Sequence, residues 1–128
     1  MKYWRLLGQY DAETQTYSGC AGAGQTSPYT PDEDARLIGL RVNVGQLAAT
    51  SLTTNGQFRL TCTTFKPNTI HAAWIGNGLR TAPAFPTAPV DYEVDQPVKA
   101  GVPITVEGRC FGASDVTNSI ELMGLFQN

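Results

Sequence analysis

Few residues of this chain are of types and spacings that could do chemistry. His71 is the single histidine, so a Ser-His-Asp or Cys-His arrangement would have to use it, and a multi-histidine metal site would need more than one chain. Asp91, Glu93 and Asp95 alternate along one segment. Carboxylates two residues apart in a strand lie about 7 Å apart, which would allow glycosidic hydrolysis. We expect instead a structural or exposed histidine, and acids on the wet face of a strand.

Two loop-like clusters are weaker candidates for chemistry. Asp32, Glu33 and Asp34 are consecutive, so they cannot all point at one ion, and they lack the spacing of a calcium loop. The stretch Gly19 to Gly24 matches neither of the two common phosphate-binding motifs, GxxxxGK(S/T) and GxGxxG, and no helical pattern follows it. The sequence therefore predicts a non-enzymatic protein with no catalytic, cofactor-binding or metal-binding residues.

Composition bounds the class of protein and its partners. The 128 residues suit one domain, residues 1–128. The formal net charge is −2 and no cluster of Lys and Arg occurs, so we expect no direct contact with nucleic acid. No stretch approaches the ~20 apolar residues of a membrane span and no long apolar run follows the first residues, so we expect a soluble protein without a secretory signal peptide. Charged residues are 16% of the chain, against about 25% in typical domains, and weakly charged surfaces associate readily.

Apolar residues recur at every second position in several segments. This two-residue period indicates strands with one buried face, and the pattern predicts an all-β fold, an antiparallel β-sandwich of seven or eight strands. Greek-key and up-and-down strand orders both fit. The stripes are Ile38, Leu40, Val42 and Val44; Phe58, Leu60 and Cys62; Val90, Tyr92 and Val94; Val102, Ile104 and Val106; and Ile120, Leu122, Gly124 and Phe126.

The connections are predicted from turn residues and small-residue runs. Lys2 to Leu7 is a first strand, and residues 8–31 form a long Gly/Ser-rich arm or loop. Asn55-Gly56 is the strongest local turn signal. Gln96-Pro97 falls in a connection after the strand Val90 to Val94, and the prolines between Arg80 and Pro89 indicate an extended exposed loop.

The three cysteines, Cys20, Cys62 and Cys110, leave one question open. An odd count does not suggest a disulfide framework, and Cys20 lies in the Gly/Ser-rich region. Cys62 and Cys110 each fall at the alternate positions that apolar residues occupy in their predicted strands. They are therefore either two buried thiols or, if their strands pair or face each other, one disulfide bridge.

Aromatic residues outside the expected core suggest a surface that binds something. Exposed aromatics beside Pro and Gly suit a protein interface, and the candidates are Tyr17, Tyr29, Phe85 and Trp74. A second hypothesis is a carbohydrate-binding β-sandwich module, with Trp74 as the best candidate for the sugar platform.

The sequence resembles the small β-sandwich proteins, often jelly rolls, that form or decorate virus and phage capsids. The features that carry this resemblance are the N-terminal arm, the short strands and the stretch Val98 to Gly108, in which a turn with Gly precedes a long strand. The resemblance implies a structural subunit located in a virion. Its partners would be copies of itself, commonly as a trimer or larger ring, and other shell proteins.

Overall fold

The computed structural model describes residues 1–10, 17–19, 29–44, 54–76, 89–111 and 120–128, and these form strands and turns without a helix. The predicted all-β class is confirmed. Eight strands occur in the described residues: β1 Lys2–Tyr10, β2 Ser18–Gly19, β3 Ala35–Val44, β4 Thr54–Thr61, β5 Thr69–Gly76, β6 Val90–Val98, β7 Thr105–Phe111 and β8 Ile120–Gln127.

The strands form two four-stranded antiparallel sheets. The first sheet has the order β1-β8-β3-β6, and the second has the order β2-β7-β4-β5. Strands pair from the ends of the chain inwards: β1 with β8, β2 with β7, β3 with β6 and β4 with β5. The chain is thus one long folded-back hairpin, and the further pairs β3–β8 and β4–β7 wrap it into two layers. This order is that of a jelly roll.

The core lies between the two sheets. In β8 the predicted stripe is confirmed, because Ile120, Leu122, Gly124 and Phe126 are all buried and alternate with half-buried residues. The second sheet contributes an equally regular stripe from β4 and β7. The largest fully buried side chains are Phe58, Phe65, Phe126, Leu7, Leu37, Leu40, Leu60, Ile104, Ile120 and Leu122.

A β-bulge changes the predicted stripe of β3. The register of β3 shifts between Leu37 and Gly39 against both of its neighbours. The extra residue at a bulge reverses the alternation from that point, so Leu37 and Leu40 are both buried. Ile38, predicted to lie on the inward stripe, is half-buried and lines the outer face instead.

Two predicted connections are wrong because pairing on neighbouring strands overrides local turn propensity. Asn55 and Gly56 lie within β4, which pairs with β5 on one side and β7 on the other. Gln96 and Pro97 lie within β6. Proline has no N–H to donate to a neighbouring strand. Because β6 is at the edge of its sheet, Pro97 is tolerated there, as proline is in edge strands generally.

The predicted arm, residues 8–31, is not a single loop. Gly8 to Tyr10 continue β1 and pair with β8, and Ser18 and Gly19 pair with β7. Tyr29 forms an isolated bridge with Ile104. The remaining parts of the segment, 11–16 and 20–28, lie outside the described residues, as does Cys20.

The question of a Cys62–Cys110 bridge is answered by the register. Cys62 is a free thiol, 3% exposed, with its Sγ 3.1 Å from Thr64 Oγ1. Cys110 pairs with Gly56 at one end of β4, whereas Cys62 follows the other end. Six residues of strand separate the two positions by about 20 Å, which a disulfide cannot span.

Gly124 is predicted to be needed for core packing. A Cβ at this position would lie 2.9 Å from Leu7 Cδ1 and 3.1 Å from both Leu37 Cδ1 and Phe126 Cε2. We expect Gly124→Ala to lower the free energy of unfolding by about 1–3 kcal/mol through overpacking, as measured by urea denaturation.

The matched control is Gly39→Ala, where the nearest atom to an added Cβ is Leu125 Cβ at 3.4 Å. It changes backbone entropy in the same way without the clash, so it is expected to be neutral or slightly stabilising. Equal stability of the two variants would contradict the packing argument.

Candidate functional surfaces

The acids of β6 lie on the outer face of the first sheet and are exposed, as predicted. Arg41 donates to both oxygens of Asp91 at 2.7 and 3.0 Å, and these bonds hold the pKa of Asp91 below its ordinary value. Arg36 donates to Asp95 at 2.6 Å. Glu93, between them, has no hydrogen bond or ion pair with any described residue.

A groove of about 420 Å³ crosses the outer face of the first sheet beside these acids. Trp4, Leu125, Gly39 and Glu93 are consecutive cross-strand neighbours from β1 to β6. Because Gly39 has no side chain, the surface formed by these four residues is deepest at Gly39. The Arg41 guanidinium lies over the Trp4 ring, 4.7 Å from its centroid, which places a cation, an indole and carboxylates around one depression.

The outer face of the second sheet holds an interlocked polar cluster around Tyr17. The guanidiniums of Arg59 and Arg109 lie 3.9 and 4.4 Å from the centroid of the Tyr17 ring. Gln57 Oε1 accepts from the Tyr17 hydroxyl at 2.9 Å and from Arg109 at 2.7 Å. Arg59 is also paired with Glu107 at 2.9 Å. These groups satisfy one another and hold the Tyr17 side chain on the sheet.

His71 lies at the edge of the same cluster. It is exposed on β5, opposite Arg59, and its ring centroid is 6.4 Å from that of Tyr17. No group of three or more His, Cys, Asp or Glu side chains that could hold a metal ion occurs in the described residues.

The predicted interface residues have different environments. Tyr17 is half-buried in the cluster just described, and Tyr29 is half-buried and stacks on Phe126 at 6.0 Å between ring centroids. Trp74 is in β5, but its side chain lies outside the described structure, and so does all of Phe85. Among the described residues the large exposed aromatic is Trp4, at 37%. Trp4 is not among the interface residues predicted from the sequence.

The two sheets leave four edge strands, and these differ in charge. In the first sheet the edges are β1 and β6, and in the second they are β2 and β5. β1 carries Lys2 and Arg5, β6 carries three acids and Pro97, and β2 has only two residues. The eight residues of β5 contain no Lys, Arg, Asp, Glu or Pro. Thus the residues of β5 include none of the charges or prolines that commonly protect edge strands from pairing with other chains.

The β5 and β6 edges lie beside each other but are joined only through side chains in the described structure. The Tyr92 hydroxyl donates to the Ala73 carbonyl oxygen at 2.5 Å. Near one end of these edges, Gln96 bonds the backbone of Lys66 at 2.8 and 3.1 Å. The sandwich is therefore not closed into a barrel here, and one side of β5 has no described strand partner.

Comparisons with known proteins add little to this geometry. No family model matches the chain, and no curated protein matches it. A solved structure described as the structure of infectious bursal disease virus, Gx strain, is similar at 13% sequence identity and a TM-score of 0.45. The match covers 98% of this chain but only 31% of that one. The fold assignment rests on the strand order.

No described helix is long and apolar enough to cross a membrane.

Tyr3, which packs near the two ends of the chain, is predicted to make the protein less stable in strong base. Tyr3 stacks on Phe126 with ring centroids 5.7 Å apart. Burial, and then a hydrogen bond with Glu33, raise its pKa from 10.0 to about 12. The pKa of Tyr3 is higher in the folded state than in the unfolded state, so its neutral form stabilises the fold. This contribution to the free energy of unfolding is complete below pH 10 and is lost as the pH rises towards about 12.

We expect Tyr3→Phe to remove part of this loss, as measured by the urea midpoint across the same pH range. The rest of the loss in stability is expected to persist in the variant, because burial also raises the pKa of Tyr29. An unchanged decline in the variant would show that Tyr3 is not responsible.

Proposed function

We propose that this chain is a non-enzymatic structural subunit of a larger assembly, a virion capsid or capsid-decoration protein that oligomerises through symmetric contacts. The observation that carries the proposal is the uncharged edge of β5, which has no described strand partner and, among the described residues, only one carbonyl oxygen, that of Ala73, bonded by a side chain of β6. The other described edges of the jelly roll are charged or very short. An edge strand presents unpaired backbone groups, and these are a template for pairing with another chain.

Pairing between copies is disfavoured at β6. Two antiparallel copies of β6 centred on Glu93 would place Glu93 opposite itself and Asp91 opposite Asp95. Like charges directly opposite are destabilising. Arg41 and Arg36 offset Asp91 and Asp95, but Glu93 would face its own copy without a cation.

No such repulsion opposes pairing at β5. Its outer face carries Thr69, His71 and Ala73, none of them acidic. Two copies running antiparallel would join their second sheets into one continuous sheet through backbone hydrogen bonds. Such a contact is isologous, with the same strand on both sides of a two-fold axis.

A two-fold contact alone closes on a dimer, so a shell requires at least one further contact. The trimer or ring implied by the sequence resemblance would supply that contact, with other shell proteins as additional partners. A charged content of 16% supports association, since weakly charged surfaces repel one another little. With a net charge of −2 and no basic cluster, the proposed subunit contacts its neighbours and not the nucleic acid inside the virion.

Substitution on the two neighbouring edges tests this proposal. Ala73 is exposed and lies opposite Gln57, so Ala73→Lys adds a charge to the β5 edge without touching the core. We expect the wild-type protein to form discrete oligomers and Ala73→Lys to shift them towards monomers, as measured by size-exclusion chromatography with light scattering.

Glu93→Lys is the matched control, because it places the same side chain on the β6 edge, where Glu93 has no described partner. It is expected to leave the oligomers intact. A wild-type protein that stays monomeric at high concentration would overturn the assembly role. Oligomers that survive Ala73→Lys would overturn the assignment to β5.

A further inference from the structure

The groove on the first sheet has features of a small-ligand site that the assembly role does not use. Its volume of about 420 Å³ lies within the range of roughly 300–1,000 Å³ found for ligand sites. Its lining residues are Trp4, Ile38, Gly39, Leu125, Tyr92 and the β6 acids Asp91 and Glu93.

The floor of the groove is produced by the bulge in β3. The register shift places Gly39 between Leu125 and Glu93, both of which lie on the outer face. A Cβ on Gly39 would have no atom closer than 3.4 Å, so a larger side chain here would extend into the depression. The absence of that side chain keeps the groove open.

One wall is apolar and aromatic. Trp4 and Leu125 are cross-strand neighbours, and the Trp4 side chain is the large exposed aromatic of the described residues. The Arg41 guanidinium covers one face of this indole, so a ligand can contact the other apolar face and the ring edge that carries the polar N–H. A ligand that suits this wall has one flat face made of C–H groups.

The polar groups at the groove include both donors and acceptors. Arg41 lies over the Trp4 ring and holds Asp91 at 2.7 Å. Glu93 on the same strand is exposed and has no described partner. Adjacent hydroxyl groups both donate and accept hydrogen bonds, so they can bridge a guanidinium–carboxylate pair and a free carboxylate.

A simple ammonium ligand fits this arrangement less well. Asp91 is already offset by Arg41, which leaves the single charge of Glu93 to attract a cation. The Arg41 guanidinium beside the indole would repel that cation. A neutral ring with several hydroxyls avoids the repulsion and uses the donor as well as the acceptors.

From these contacts we infer that the groove binds one neutral pyranose ring of a glycan, with the C–H face of the ring on Trp4 and its hydroxyls on Glu93 and the Arg41–Asp91 pair. This role does not depend on the proposed assembly function. The binding face is the outer face of the first sheet, whereas the proposed contact between copies is on the β5 edge of the second sheet.

The test is titration of the wild-type chain with the methyl glycosides of glucose, galactose, mannose and N-acetylglucosamine. Binding is followed by tryptophan fluorescence and by saturation-transfer NMR, up to about 50 mM, which is well above the millimolar Kd expected for one small ring. N-acetyl-lysine amide, titrated in parallel, is the cationic probe. We expect at least one glycoside to bind and the lysine probe not to bind.

Glu93→Gln is expected to weaken glycoside binding about tenfold, because hydrogen bonds to a charged acceptor are the stronger ones. Gly39→Leu fills the floor and is expected to abolish binding, with circular dichroism confirming that it folds. Glu121→Gln is the matched control, because this half-exposed carboxylate lies on the same sheet face, about 13 Å along β8 from Leu125. It is expected to bind like the wild type.

Three results would overturn the inference: no glycoside binds, the lysine probe alone binds, or Glu93→Gln binds the glycoside as tightly as the wild type does. The Glu93→Gln result decides even if Gly39→Leu fails to fold. Each of these outcomes is independent of whether the chain forms oligomers, so failure of the glycan site and failure of the assembly role are distinguishable.

Discussion

Antiparallel pairing of the first half of the chain with the second half is the constraint on which the rest of the structure depends. Each strand of the first half pairs with its counterpart in the second, from β4–β5 at the turn to β1–β8 at the ends. Wrapping this long hairpin buries one face of each sheet and leaves four edges. Both the core and the side of β5 that has no described strand partner are consequences of the same pairing.

The bulge in β3 connects core packing to the outer surface. It turns both Leu37 and Leu40 inwards and leaves Ile38 and Gly39 on the groove side. Gly124 on the neighbouring β8 makes room for Leu7, Leu37 and Phe126 in the core. The groove is therefore a by-product of how the first sheet packs, and a substitution that removed the bulge would change the core and the groove together.

The sequence could predict what local patterns determine. Alternation identified the strands and the buried stripe of β8, because nothing interrupts the period there. It missed the bulge in β3, since a one-residue insertion is set by pairing with β6 and β8 and not by the strand's own residues. Likewise Asn55-Gly56 has a turn composition that two-sided pairing overrides. The groove residues could not be grouped, because Trp4 and Glu93 come together only through strand order.

Hydrogen–deuterium exchange measured over a range of protein concentrations tests the central claim most directly, which is that the open edge of β5 meets another copy of the chain. Alternate residues of β5 direct their N–H groups away from β4, and no described strand pairs with them. The account predicts that exchange in β5 slows as concentration rises, while exchange in β6 stays the same. Exchange in β5 that is independent of concentration, or protection that appears at β6 instead, would contradict it.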